Sequence, residues 1–175
     1  EKQRQAALAE EKKQAKSQID TELAAFGEVK NFNGFATLLS GPQKELENAA
    51  NSVDIQHAVA AVVALKPLAT ALKEAHGQAS DLVTNAEGLT EDNTQRAPLI
   101  TEAQALEEEI KNADDPAKVE AAKAKIAPLK KKISDAEGAY NGAPIEGEDE
   151  ALVDKLFSAI SNMEEGTWKT RLAGI

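Results

Sequence analysis

The chain has 175 residues, room for one domain or two small ones. Its net charge of −10, from 20 basic and 30 acidic residues, argues against a nucleic-acid backbone or an anionic lipid surface as partner. With no cysteine, disulfides, thiol catalysis and thiolate metal sites are excluded. The hydrophobic share of 42% is largely alanine and only 3% of residues are aromatic, so slim, close-packed helices are expected rather than a thick core.

Glu1 to about Val29 reads as a helix, with Ala15, Ile19, Leu23 and Phe26 as its stripe. The chain opens without Met or a signal peptide on EKQRQAALAEEKKQAK, which resembles the middle of a helix. A fragment of a longer parent protein, or a processed chain, is therefore expected. Gly27 and Asn31-Phe32-Asn33-Gly34 mark a turn. Phe35–Asn51 is a second, weaker helix that Gly41-Pro42 should interrupt, with Ser40 capping the restart. Ser52 or Asp54 then offers an N-cap.

Ile55 to about Ala86 is the most apolar stretch. Its run Ala58–Leu65 has eight residues, short of the roughly 20 that a membrane span needs, so a buried helix turn is expected and membrane insertion is not. Ala58, Ala61, Leu65, Leu68, Leu72, Ala75, Ala79 and Leu82 form a seam, widened by Val59, Val62 and Val63. Glu87–Thr90 is a turn, and Glu91–Ala113 a helix with Leu99, Ala103, Leu106, Ile110 and Ala113 on one face.

Asp114-Asp115-Pro116 is a cap followed by proline near the first helical position. Asp115–Tyr140 then carries Val119, Ala122, Ile126, Leu129, Ile133, Ala136 and Tyr140 in steps of three and four, a narrow coiled-coil-like seam that needs partner helices. Asn141–Gly147 is a loop. Acids 148–150 open a last helix with Leu152, Val153, Leu156, Phe157, Ile160 and Met163 on one face, and Trp168 and Leu172 lie in a tail.

A shift of 61 residues matches the chain to itself without gaps: Ala36 with Ala97, Leu38 with Leu99, Glu47 with Glu108, Asn51 with Asn112, Asp54 with Asp115, Pro67-Leu68 with Pro128-Leu129 and Gly77 with Gly138. The expected fold is all-α: an elongated bundle of two duplicated helical hairpins, each kinked at a proline, Pro67 or Pro128. The helical phase continues across both prolines, which favours a kink over a stop. The expected segments are a lead-in helix 1–33, hairpins 34–89 and 90–147, and a C-terminal helix and tail 148–175.

Chemistry-bearing motifs are sparse. His57 and His76 stand 19 apart, without HExxH or HxxxH spacing, and EGEDE lacks the alternating ligands of an EF-hand loop. No phosphate-binding glycine loop occurs, so neither a metal nor a cofactor is expected, and the chain reads as no enzyme. Lys130, Lys131 and Lys132 form the one basic cluster, and Trp168 is a residue type favoured in binding hot spots; these four are the candidate partner contacts. The expected function is a non-enzymatic helical spacer or interaction module, meeting a protein partner or the rest of its parent chain. The alternative is the recognition domain of a secreted bacterial toxin or surface protein, so a secreted or cell-surface setting is favoured over the cytoplasm. The remote alternative is an enzyme with a His/carboxylate site between the hairpins.

Overall fold

A computed structural model describes residues 2–141, with side chains as far as Ala139. The chain divides into two bodies, Glu1–Glu137 and Gly138–Ile175, and the first holds the packed helices. The described residues are all-α: α1 Lys2–Ala25, a 3-10 helix Gly27–Asn31, α2 Asn33–Asn48, α3 Ser52–Val63, α4 Lys66–Glu87, α5 Arg96–Asn112 and α6 Pro116–Asn141. The expected last helix, its acidic first turn and the Trp168 tail lie outside the described residues.

The helices fall into two groups of three. α3 packs on α1 and α2; α4 packs on α5. α6 lies against both, since one hollow is walled by α4 and α6 and another by α5 and α6. The narrow seams become the core. Leu99, Ala103, Leu106, Ile110 and Ala113 are buried, as are Val119, Ala122, Leu129 and Ile133 of α6. Burying a leucine or isoleucine of this kind contributes about 1.5–3 kcal/mol, but each alanine far less, so many contacts share the load.

Local chemistry sets the helix ends. α1 stops at Gly27, whose φ of 60° is left-handed and costs glycine nothing. α3 is capped by Asn51, whose side chain accepts from Val53 N at 2.9 Å and Asp54 N at 3.1 Å. Neither Ser52 nor Asp54 is the cap; Asp54 instead accepts from Ala50 N at 2.8 Å, reaching back across the start of the helix. Asp115 does cap α6, accepting from Lys118 N at 2.9 Å.

Three further expectations are corrected. Gly41-Pro42 does not interrupt α2, which runs through both. Glycine before proline has no Cβ to crowd the ring, so the helical conformation is tolerated there. Ser40 accordingly caps nothing, its hydroxyl donating to Thr37 O at 2.7 Å. α5 begins at Arg96 rather than Glu91 because the buried Asn93 holds a turn first, accepting from Gln95 N at 2.9 Å and donating to Ala136 O at 3.1 Å.

The third correction concerns Pro67. An unbroken kinked helix was expected, but α3 ends at Val63 and α4 restarts at Lys66, with Pro67 in the first turn. Proline has no N–H for Val63 O, and Leu65 N turns to Val62 O instead, a tighter turn. The junction residues Ala64 and Leu65 keep right-handed helical dihedrals, so the interruption is one of hydrogen bonding rather than a reversal. Pro128, by contrast, lies inside the uninterrupted α6.

Across the Pro67 junction, Ser52–Glu87 is long and apolar enough to cross a membrane by length and composition alone, and a third of its most apolar window is buried. The eight-residue run Ala58–Leu65 understated that length.

Candidate functional site

The most elaborated contact among the described residues is where the two groups of helices meet. In a chain with four phenylalanines, three gather here: Phe26 at the end of α1, Phe32 before α2 and Phe35 within it, all buried. Phe26 and Phe35 meet edge to face, with centroids 5.2 Å apart and planes at 85°. The 3-10 helix rests on α4, and the start of α2 rests on α5.

Gly34 makes the second contact possible. A Cβ there would stand 2.4 Å from Ala113 O and 2.6 Å from Asn112 O, so only glycine lets α2 approach the end of α5. Beside it, Asn33 Nδ2 donates to Asn112 Oδ1 at 3.1 Å, while Asn112 Nδ2 donates to Glu108 O at 2.9 Å. Lys66 of α4 and Glu22 of α1 pair at 2.9 Å.

His76 completes the junction. Its ring lies 4.8 Å from that of Phe32, with Nε2 at 2.9 Å from Glu107 Oε1 and Nδ1 at 3.6 Å from Glu28 Oε1. Lys111 Nζ also donates to Glu107 Oε1 at 2.9 Å. That hydrogen bond holds the Glu107 carboxyl below the usual carboxylate range; partial burial pushes the other way, and the charges of Lys111 and His76 lower it further. The cluster ties the 3-10 helix, α4 and α5 together. His57 is elsewhere and exposed, its Nδ1 2.5 Å from Glu45 Oε1.

None of the hollows described on the surface is lined by either histidine. Among the described residues no three His, Asp or Glu side chains converge as a metal site would require.

The basic cluster is divided by its surroundings. Lys131 pairs with Asp135 along α6 at 2.6 Å, and Lys132 pairs with Glu102 of α5 at 2.6 Å. Lys130 lines a hollow of about 380 Å³ with Leu82, Asn85, Ile133 and Glu137. Trp168 lies outside the described residues. Sequence reasoning missed the junction altogether. Its one available signal was the crowding of Phe26, Phe32 and Phe35 around Gly34 in an aromatic-poor chain. No protein-family model matches the chain, and neither a curated protein nor a solved structure is significantly similar to it.

Proposed function

We propose that this chain is a non-enzymatic spacer and interaction module built from a duplicated three-helix unit. The unit is α1–α2–α3, repeated as α4–α5–α6, in a register of 64 residues rather than 61. The observation that carries this is the coincidence of helix ends. α1 and α4 start at Lys2 and Lys66, α2 and α5 end at Asn48 and Asn112, and α3 and α6 start at Ser52 and Pro116. The caps Asn51 and Asp115 have the same spacing. So do the buried pairs Ala15/Ala79, Phe35/Leu99, Leu46/Ile110, Ile55/Val119 and Ala58/Ala122.

The surface repeats as well. One hollow is lined by Ala25, Lys66, Ala69, Thr70 and Lys73; another by Leu89, Lys130, Ile133, Ser134 and Glu137, each residue 64 further on. The second half of α6 thus stands against α4 as the first half of α4 stands against α1. Units joined through nearly continuous helix, each touching its neighbour through one corner, make a quasi-linear spacer.

The same packing supports reading Ser52–Glu87 as core rather than membrane span. Ile55, Ala58 and Val62 are buried in the first unit, and Leu72, Ala75, Ala79 and Leu82 in the second. The histidines fit structural roles: exposed His57 pairs with Glu45, and His76 joins Phe32, Glu28 and Glu107 in the junction between helices.

Excision tests the reading. Removing residues 20–83, one full period, joins Ile19 to Thr84 in phase; removing 20–80 joins Ile19 to Asp81 out of phase. The in-phase chain should unfold cooperatively, and labels at Gln3 and Asp135 should move closer by roughly half. If both deletions lose their helix content, or both keep it equally, the unit is not the repeat and the spacer reading falls.

A further inference from the structure

The second unit has a seat that the first unit fills. His76 receives Phe32 and Glu28, and the end of α5, Asn112-Ala113, receives Asn33 and Gly34. The first unit carries the counterpart of that seat 64 residues earlier. Lys12 stands for His76, and Asn48-Ala49 stands for Asn112-Ala113 without change. Lys12 Nζ donates to Glu47 O at 2.9 Å, beside the seat. Asn48 is exposed and makes no side-chain hydrogen bond among the described residues. Next to it lies an open hollow of about 270 Å³ lined by Lys16, Ile19, Asp20, Gln43, Leu46 and Glu47.

We infer that this α1–α2 face is a docking seat for a further three-helix unit of the same kind, engaged head to tail. The inference rests on the duplicated-unit reading above. The occupant is specified by the junction already present in the chain. It must offer an Asn-Gly pair at the start of its second helix, because only glycine clears the carbonyl of Ala49 as Gly34 clears that of Ala113. Its asparagine amide bonds Asn48 as Asn33 bonds Asn112. Its aromatic residue before that pair covers the Lys12 ammonium, as Phe32 covers the His76 ring. An acid at the Glu28 position faces Lys12 and Lys16, so the charges are complementary. Linked in one chain, such a unit meets the seat at an effective concentration near the millimolar range, and modest contacts suffice.

The test replaces Glu1 of the full chain with a copy of residues 2–65, which keeps the 64-residue phase. The protein has no cysteine, so paired cysteines report contact without background. The probe pair is Asn33→Cys in the added copy with Asn48→Cys in the original chain. The control, without the extension, is Asn33→Cys with Asn112→Cys, across the existing junction. Both are bridged with a short dithiol-reactive linker. The inference expects the probe to bridge within about threefold of the control's rate, and Gly34→Val in the added copy to slow it about tenfold or more, because the clash is with backbone. Bridging in the control alone overturns the seat and leaves the duplicated unit standing. Failure of the control as well overturns the duplicated unit with it. Bridging of the probe that Gly34→Val leaves unchanged also overturns the seat, since the contact is then not the one described.

Discussion

Gly34→Ala adds one methyl group at the point where the two groups of helices touch. The new carbon would stand 2.4 Å from Ala113 O and 2.6 Å from the carbonyl carbon behind it. Ordinary contact begins about 1 Å further out. The atoms met are backbone at the end of α5, which no rotamer change moves. Either α2 lifts from α5, pulling Asn33 off Asn112 and loosening Phe35, or α5 frays. Overpacking of this sort costs about 1–3 kcal/mol, and rigid neighbours favour the upper part of that range. With a urea m-value near 2 kcal/mol/M, a loss of about 2 kcal/mol lowers the midpoint by about 1 M. Urea titration followed by circular dichroism measures it. Gly77→Ala is the control, the same chemical change in the interior of α4 where an added Cβ meets nothing within 4 Å. It should stabilise by about 0.5–1 kcal/mol, because alanine is the better helix former. If Gly34→Ala matches Gly77→Ala in sign, α2 and α5 are not in backbone contact and the junction is wrong.

Asn51→Ala removes the cap of α3 and should cost about 1 kcal/mol, while Asn51→Asp should retain most of it; thermal unfolding compares the two. The prolines should differ in size of effect. Pro128→Ala restores a donor inside α6 and should stabilise by about 2 kcal/mol, whereas Pro67→Ala offers Val63 O the missing N–H but also frees the unfolded chain by about 0.4–1 kcal/mol, so its net gain should be smaller. Phe35→Ala leaves a cavity at a fully buried ring and should cost about 3–5 kcal/mol in denaturant unfolding. Glu107 has a folded pKa below its ordinary 4.5. Its contribution is present above the unfolded value and lost as pH falls through the folded one, so the stability gap between wild type and Glu107→Gln should close on acidification. A gap independent of pH from neutral down to below pH 4.5 would refute the pairing with Lys111.

The helices themselves were legible because their seams carry the helical period. Leu99, Ala103, Leu106, Ile110 and Ala113 are buried as their spacing required, as are Val119, Ala122, Leu129 and Ile133, with Ile126 half-buried between them. The register of the proposed repeat is harder to read. Registers of 61 and 64 residues differ by three, close to one helical turn, so both lay apolar residues on apolar residues. In an alanine-rich chain, identities accumulate under either shift. Helix ends discriminate where stripes do not, and the ends depend on caps such as Asn51 that look like any loop asparagine. Gly41 and Pro42 each read as a helix breaker when taken singly; together, the glycine relieves the strain the proline imposes. Gly34 reads as a turn signal, although its role is to admit a neighbouring backbone, which local sequence does not record. His76 likewise acquires its meaning from Phe32 and Glu107, residues 44 and 31 positions away.

Residue-resolved amide hydrogen exchange of the full chain reads the repeat most directly. Protection across 33–63 should correlate with that across 97–127 at an offset of 64, with fast amides around Ala50–Ser52 answered by fast amides around Asp114–Ala117. A correlation peaking at 61, or none above background, would contradict the duplicated three-helix unit.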